Sequence, residues 1–165
     1  MDADRIADET LVGGDGARLS PELREWLEAW EGVRLTPYLD VAGYWTVGCG
    51  HKMQATDPHA PITQDECDAL LDTDLIYFAE GVSRLIIMPL PQYRFDALGA
   101  FGYNVGLGAL AGSTLRKRVN GGYFAEAADE FLKWDIAGGK ADPRLLKRRQ
   151  AERAMFAFGD YSQRP

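Results

Sequence analysis

The hydrophobic pattern of this 165-residue sequence changes period twice, and that change most constrains the fold. Residues 20–31 carry apolar side chains at helical spacing, namely Leu23, Trp26, Leu27 and Trp30. Residues 34–60 carry strand-forming residues interrupted by glycines, which predicts a small antiparallel sheet or hairpin. Helical spacing returns at residue 63 and continues to residue 158. The sequence therefore predicts an α+β, mainly α fold, with a small β lobe between an N-terminal helix and a larger helical lobe.

Capping residues indicate where several of these helices begin. Ser20-Pro21 is typical of an N-cap followed by a first-turn proline, and Thr63 with Glu66 forms a capping box. Asp142-Pro143 predicts the start of a last helix. The mostly apolar helix over residues 95–105 is the best candidate for the core. Candidate core contacts on the last helix are Leu146, Ala154 and Phe158.

The formal charge of −7 is unevenly distributed along the chain. Residues 1–30 carry eight acidic and three basic residues, whereas residues 131–165 carry eight basic and four acidic residues. An acidic chain argues against electrostatic binding of nucleic acid. The apolar runs are far shorter than the roughly 18 residues of a membrane span, so no stable membrane insertion is expected. The basic C-terminal end either faces an anionic polymer or forms a solvated helix face.

The first 19 residues are acidic and lack a sustained period, so we expect a loosely ordered leader before a domain spanning residues 20–165. The leader lacks the basic start and the apolar run of a secretory signal, so we expect no signal peptide. Cys49 and Cys67 match no zinc-site spacing, and free, partly buried thiols are favoured over a disulfide bridge. We expect no metal and no cofactor.

Two carboxyl groups in contrasting positions are candidates for acid–base chemistry. Glu31 ends the first apolar helix beside Trp30, and both desolvation and a helix C-terminus disfavour the charged form of a carboxyl group. Asp40 follows on a loop or strand that water can reach. Such a pair divides the proton-donating and water-activating roles of a glycosidase. An acidic protein offers many such pairs, so the neighbouring residues decide the interpretation.

The neighbours of this pair favour a catalytic interpretation. Thr46 has a hydroxyl that can hold a water molecule, and Gly48 and Gly50 permit close backbone approach or unusual dihedral angles. Tyr44 and Trp45 are suited to stacking on sugar rings, although strand aromatics more often pack within the protein.

Residues 31–51 follow the pattern E-G-x-R-L-x-x-Y-x-D-x-x-G-x-W-T-x-G-x-G-H, which closely resembles the catalytic segment of phage-type lysozymes, glycoside hydrolase family 24. Later segments resemble further motifs of that family: 95–98, 103–106, 112–115, 131–134, 137–140 and 148–153. The resemblance covers about residues 20–158. It implies a lysozyme-like fold in which a β lobe (about residues 34–60) and a helical lobe (about residues 63–158) flank a cleft.

The resemblance also implies roles for individual residues. Glu31 would be the general acid, and Asp40 with Thr46 would position or activate the attacking water. Asn104 matches an amide-bearing position on the cleft wall, where it either hydrogen-bonds substrate or caps the helix before Gly106.

Three further residues take supporting positions by the same resemblance. Arg148 matches an arginine that reaches the general acid. His51 and Asp74 match an ion pair between the β lobe and the long helix, a structural role that is favoured over a catalytic His51.

The leading hypothesis is a peptidoglycan hydrolase that cleaves the β-1,4 bond between N-acetylmuramic acid and N-acetylglucosamine with inversion. The alternatives are a lytic transglycosylase, which needs no attacking water, and a non-catalytic cell-wall-binding or virion structural module. We expect a monomer whose partner is the peptidoglycan glycan strand. We also expect it to be made in the bacterial host cytoplasm and to reach the periplasm or cell wall with the help of a holin, a virion or a secretion system.

Overall fold

The computed structural model describes residues 10–165, and helices dominate this range. The helices are α1 (Pro21–Glu31), α2 (Gln64–Leu85), α3 (Gln92–Val105), α4 (Leu107–Gly112), α5 (Thr114–Asn120), α6 (Phe124–Glu130) and α7 (Pro143–Phe158), with a 3-10 turn at Phe131–Lys133. The strands are β1 (Leu11–Val12), β2 (Arg34–Leu39), β3 (Trp45–Gly48), β4 (His51–Lys52), β5 (Leu90–Pro91), β6 (Ile136–Ala137) and β7 (Lys140–Ala141). The predicted α+β, mainly α fold class is confirmed. Every helix in this range is too short or too polar to cross a membrane.

The helix ends follow the capping signals of the sequence. The Ser20 hydroxyl accepts a hydrogen bond from the Leu23 backbone N–H, and α1 ends at Glu31 because Gly32 follows with φ +71°. At the start of α2, Thr63 and Glu66 form both hydrogen bonds of a capping box. These caps fix where α1 ends and α2 begins, on either side of the β lobe.

Helix α3 runs through the centre of the helical lobe, and every residue from Phe95 to Gly102 is buried. Phe101 packs edge-on against Phe131 at a ring distance of 5.5 Å, and Phe131 lies 5.5 Å from Phe156 of α7. Ala154 is buried and Leu146 is half-buried. The predicted core contact of Phe158 is wrong, because this last residue of α7 is 72% exposed.

The β lobe is a three-stranded antiparallel sheet in the order β2-β3-β4. Its register pairs Tyr38 with Thr46, and Thr46 with Lys52. A small cluster of buried Cys49, Cys67 and Leu71 joins the β3–β4 turn to α2. Both cysteines are free thiols.

Part of the segment expected to be a loosely ordered leader contacts the helical lobe. Leu11 and Val12 pair antiparallel with Leu90 and Pro91. Leu19 contacts Gly99 so closely that a β-carbon at residue 99 would overlap it. Residues 1–9 lie outside the described residues.

Asp96 of α3 connects both ends of the domain. Its carboxylate accepts hydrogen bonds from the Ser20 backbone N–H (3.0 Å) and hydroxyl, the Gln92 amide (2.8 Å) and the Tyr161 hydroxyl (2.6 Å). Burial raises the pKa of Asp96, and these donors oppose that rise.

Candidate active site

Glu31 is the last residue of α1, and its side chain is 19% exposed. Its Oε1 lies 2.6 Å from Nη1 of Arg148 on α7. Arg148 is 5% exposed, and its guanidinium lies 5.6 Å and 5.9 Å from the rings of Trp26 and Trp30. The structure therefore contains the predicted contact between Arg148 and Glu31.

The turn between β3 and β4 approaches the other oxygen of this carboxyl group. Gly50 has φ +79°, and a β-carbon on it would lie 3.3 Å from Glu31 Oε2. The Tyr103 hydroxyl donates to the Cys49 carbonyl at 2.6 Å, which attaches this turn to α3. Both predicted properties of the glycine pair, close approach and unusual dihedral angles, are therefore present at Gly50.

Asp40 follows β2 and accepts hydrogen bonds from the loop that leads to β3. Its Oδ1 accepts from the backbone N–H of Ala42 at 2.9 Å and of Tyr44 at 2.8 Å. Its Oδ2 forms an ion pair with Lys52 of β4. The hydrogen bond from Lys52, followed by that from Tyr44, lowers the pKa of Asp40, so this carboxylate stays ionised well into acid. Sequence reasoning missed Lys52, whose cross-strand position appears only once the β3–β4 register is known.

Thr46 lies on β3 within the same hairpin and is 2% exposed. Its hydroxyl donates to the Tyr44 carbonyl at 3.1 Å. Because a hydroxyl has one proton and two lone pairs, Thr46 Oγ1 retains the capacity to accept a hydrogen bond from a water molecule.

The two candidate substrate aromatics lie at the surface of the β lobe. Tyr44 is 63% exposed, and the Lys52 ammonium lies 5.2 Å from its ring. Trp45 is 39% exposed and stacks with His59 at 4.2 Å. Both rings therefore have free faces or edges for a ligand.

His51 and Asp74 form the predicted contact between the β lobe and α2. His51 Nδ1 lies 2.9 Å and 3.0 Å from the two carboxylate oxygens of Asp74. The hydrogen bond to Asp74 raises the pKa of His51.

A buried charged network lies behind Glu31. Glu152 is fully buried, and its Oε1 accepts from Arg148 Nε at 3.1 Å and from Arg149 Nη2 at 2.9 Å. Arg149 Nη2 also donates to Oδ1 of exposed Asn104 at 2.7 Å. Sequence reasoning assigned no role to Arg149 or Glu152. The sequence signal for them was spacing, because Glu152 follows Arg149 by three residues and Arg148 by four. This spacing places opposite charges together on one helix face.

The predicted site residues thus form three groups of contacting side chains. Glu31 contacts Arg148, which is connected through Glu152 and Arg149 to Asn104. Asp40, Tyr44, Trp45 and Thr46 lie together on the β2–β3 hairpin. The third group is the His51–Asp74 pair at the junction of the β lobe and α2. Among residues 10–165, no group of three or more His, Cys, Asp or Glu side chains could hold a metal ion.

A half-buried carboxyl at a helix end, with a second, ionised carboxyl on an adjacent hairpin, is typical of glycosidases that use acid–base catalysis. The family model named Phage lysozyme matches residues 28–152. The chain therefore belongs to the phage lysozyme family, as the sequence resemblance indicated.

Relatives and solved structures agree with this assignment. The chain is 42% identical over 136 residues to an endolysin of Bacillus phage B103, covering 81% of this chain and 52% of that protein. It is 40% identical over 129 residues to a SAR-endolysin of Bacteriophage PS119, covering 78% of this chain and 77% of that one. The muramidase domain of SpmX from Asticaccaulis excentricus superposes with a TM-score of 0.76 at 33% identity, over 85% of this chain and 97% of that one. The chain thus spans about half the length of the Bacillus phage relative.

Proposed function

We propose that this protein hydrolyses the β-1,4 bond between N-acetylmuramic acid and N-acetylglucosamine in peptidoglycan. The observation that carries the proposal is the meeting of Glu31 with Arg148 and the Gly50 turn, beside a hairpin that holds Asp40 and Thr46. Membership of the phage lysozyme family and the endolysin and muramidase relatives support it.

In this mechanism Glu31 donates a proton to the glycosidic oxygen as the bond to the anomeric carbon breaks. Asp40, held ionised by Lys52 and two backbone N–H groups, accepts a proton from the attacking water. Thr46 Oγ1 accepts the water's second hydrogen bond and so orients its lone pair toward the anomeric carbon. Attack by water from the face opposite the leaving group gives inversion.

The remaining site residues bind the glycan. Tyr44 and Trp45 present aromatic surface on the β lobe, against which sugar rings stack. Asn104 presents an amide at the protein surface that can donate to a sugar hydroxyl or an N-acetyl carbonyl. These three contacts orient the strand relative to Glu31.

The experiment is digestion of purified peptidoglycan, with new reducing ends quantified and soluble products identified by mass spectrometry. Glu31→Gln keeps the shape of the side chain but cannot donate the proton, so we expect activity to fall at least about a hundredfold, and Asp40→Asn to fall similarly. Glu28→Gln is the matched control, because it removes a carboxylate from α1 that pairs with Arg24. Undiminished activity of Glu31→Gln would contradict the proposal.

The same products separate the two alternatives. Anhydro-sugar ends in place of reducing ends would identify a lytic transglycosylase. Binding to cell walls without release of soluble sugar would identify a binding or structural module. An α-anomeric product in early proton NMR spectra would support inversion, and a β-anomeric product would contradict it.

The site of action follows from the substrate. We propose that a monomer made in the host cytoplasm reaches the peptidoglycan of the periplasm or cell wall with the help of a holin or a virion. To test this route, the protein is expressed with and without a holin, and lysis is measured as the loss of culture turbidity. Lysis that needs no holin, together with absence of the protein from virions, would contradict it.

A further inference from the structure

Glu31, Arg148, Glu152 and Arg149 form one continuous line of ionisable side chains. Arg148 contacts Glu31 through Nη1 at 2.6 Å and Glu152 through Nε at 3.1 Å. Glu152 contacts Arg149 a second time, with Oε2 2.8 Å from Arg149 Nε. Arg148, Arg149 and Glu152 are all buried, so water screens these charges little.

Glu152 supplies a carboxylate between the two buried guanidinium groups of this line. Burial raises the pKa of Glu152, and the guanidinium groups of Arg149 and Arg148 oppose that rise. A protonated Glu152 would leave two buried guanidinium groups without the charge of the carboxylate that they share, and uncompensated buried charge is strongly unfavourable. The contacts with both guanidinium groups therefore favour the charged form of Glu152.

The position of Glu152 determines how Arg148 meets Glu31. One edge of the guanidinium is hydrogen-bonded to Glu152, and Trp26 and Trp30 lie within 6 Å of it. In this position Nη1 lies 2.6 Å from Glu31 Oε1. Because Arg148 lies between two carboxyl groups, the negative charge of Glu152 offsets part of the attraction that Arg148 exerts on ionised Glu31.

The second branch of the network reaches the surface through Arg149. Its Nη2 donates to both Glu152 Oε1 and Asn104 Oδ1. Because the Asn104 oxygen faces this donor, the Nδ2 amide group of Asn104 points away from the network. Glu152 thus fixes the orientation of an exposed hydrogen-bond donor as well as that of Arg148.

We propose that Glu152 is a positioning residue for the glycosidic reaction: it holds Arg148 against the general acid Glu31 and, through Arg149, turns the amide N–H groups of Asn104 toward the glycan. This inference rests on the proposed function, because it assigns Glu31 and Asn104 their roles in that reaction.

The network predicts opposite effects for its two inner members on the pH dependence of activity. Glu31 contacts Arg148 of α7, and the charges of Arg149 and Glu152 on the same helix act on it from farther away. Tyr103 of α3 is also near enough to interact with the charge of Glu31, and its hydroxyl donates to the Cys49 carbonyl. Without the charge of Glu152, Arg148 stabilises ionised Glu31 more strongly, so the alkaline limb of activity moves to lower pH. Without the charge of Arg149, that limb moves to higher pH.

The test compares Glu152→Gln and Arg149→Gln with wild type, with kcat and KM measured across pH on soluble glycan fragments. We expect displacements of the alkaline limb of about one pH unit in opposite directions, and a severalfold rise in KM for both variants because Asn104 loses its orientation. Asp96→Asn is the matched control, since Asp96 is a fully buried carboxyl group whose hydrogen-bond partners are neutral. A lower Tm with an unmoved alkaline limb is expected for this control.

A merely structural Glu152 would lower Tm in Glu152→Gln and leave both the alkaline limb and KM unchanged, which would overturn the proposal. If Glu152→Gln does not fold, Arg149→Gln still tests the direction in which the alkaline limb moves. An alkaline limb that stays at the wild-type pH or moves to lower pH in Arg149→Gln would overturn the proposal. Failure of the proposed function is seen separately, as activity that persists in Glu31→Gln at every pH.

Discussion

At the scale of single residues, Asp40 shows how one cation adjusts a carboxylate. Lys52 reaches Asp40 across the β3–β4 pair, and together with the backbone N–H of Tyr44 it lowers the pKa of Asp40. The Lys52 side chain is 57% exposed, so solvent screens part of its charge. The charged form of Asp40, which the proposed mechanism requires, is thereby favoured without deep burial of the carboxylate.

Replacing Lys52 with Met should move the acid limb of activity to higher pH. Asp40 must be ionised to accept a proton, and without Lys52 its pKa rises toward the ordinary value, so activity is lost earlier as the pH falls. We expect a displacement of less than about one pH unit because the lysine is exposed. The measurement is the pH profile of kcat/KM on soluble glycan.

Lys117→Met is the control for this variant, because it removes an exposed lysine from α5. Its acid limb should coincide with that of wild type. An unmoved acid limb in Lys52→Met would show that Lys52 does not determine the ionisation of Asp40.

The sequence predicts individual site residues unevenly. The contact of Arg148 with Glu31 was predictable, because a family motif supplies both positions and the fold brings them together. Glu152 and Lys52 were not predicted, for different physical reasons. A glutamate amid arginines on a helix has the same pattern as a solvated face, and a cross-strand lysine depends on a register that spacing alone does not fix.

At the scale of elements, the β3–β4 turn and α2 meet through two thiols. Cys49 and Cys67 lie in one small cluster, and a β-carbon on Gly48 would lie 3.1 Å from Cys67 Sγ. Burial, with a contribution from neighbouring Cys67, raises the pKa of the Cys49 thiol to about 12.

This environment predicts thiols that are inert in the folded protein. The thiolate is the reactive form, and each unit of pKa lowers its population about tenfold, so we expect labelling of Cys49 by iodoacetamide at pH 8 to be at least about a hundredfold slower than in the unfolded chain. Mass spectrometry of timed samples measures the rate, and Cys67→Ser isolates Cys49. Rapid labelling of the native protein at two sites would contradict the burial of this pair.

Elements with strong local signals were predictable, and those that depend on distant partners were not. The capping box at Thr63 and the proline after Asp142 mark the starts of α2 and α7. Strand β1 has two residues and no period, and it exists because Leu90 and Pro91 lie beside it. Phe158 continues the apolar spacing of α7, yet the helix ends there and leaves it exposed.

At the scale of the whole molecule, most basic residues of the C-terminal end form ion pairs. Between residues 131 and 165, the basic residues that pair with an acidic side chain are Lys133, Arg144, Arg148, Arg149 and Arg153. The excess positive charge of this end therefore stabilises the fold and the site more than it forms a free basic face. Composition alone could not separate these two alternatives, because pairing depends on which residues the fold brings together.

The Asp96 network predicts a large effect on global stability. Asp96→Ala leaves the half-buried hydrogen-bond donors of Ser20, Gln92 and Tyr161 without their acceptor, so we expect the free energy of unfolding to fall by about 3 kcal/mol. Urea unfolding followed by circular dichroism measures this loss. Asp129→Ala, which removes the partner of Arg153 at the surface, should cost less than about 1 kcal/mol. Equal losses in the two variants would contradict the special role of Asp96.

Because Asp96 binds both Ser20 and Tyr161, the start of α1 and the segment that follows α7 are neighbours in space. A short peptide could therefore join residue 162 to residue 20, and new termini could be opened at the exposed Gly121–Gly122 turn between α5 and α6. Such a circular permutant keeps α1, the hairpin and α2 contiguous, while α7 then precedes them in the chain. The order in which Glu31 and Arg148 are synthesised would be reversed without changing the pair that they form.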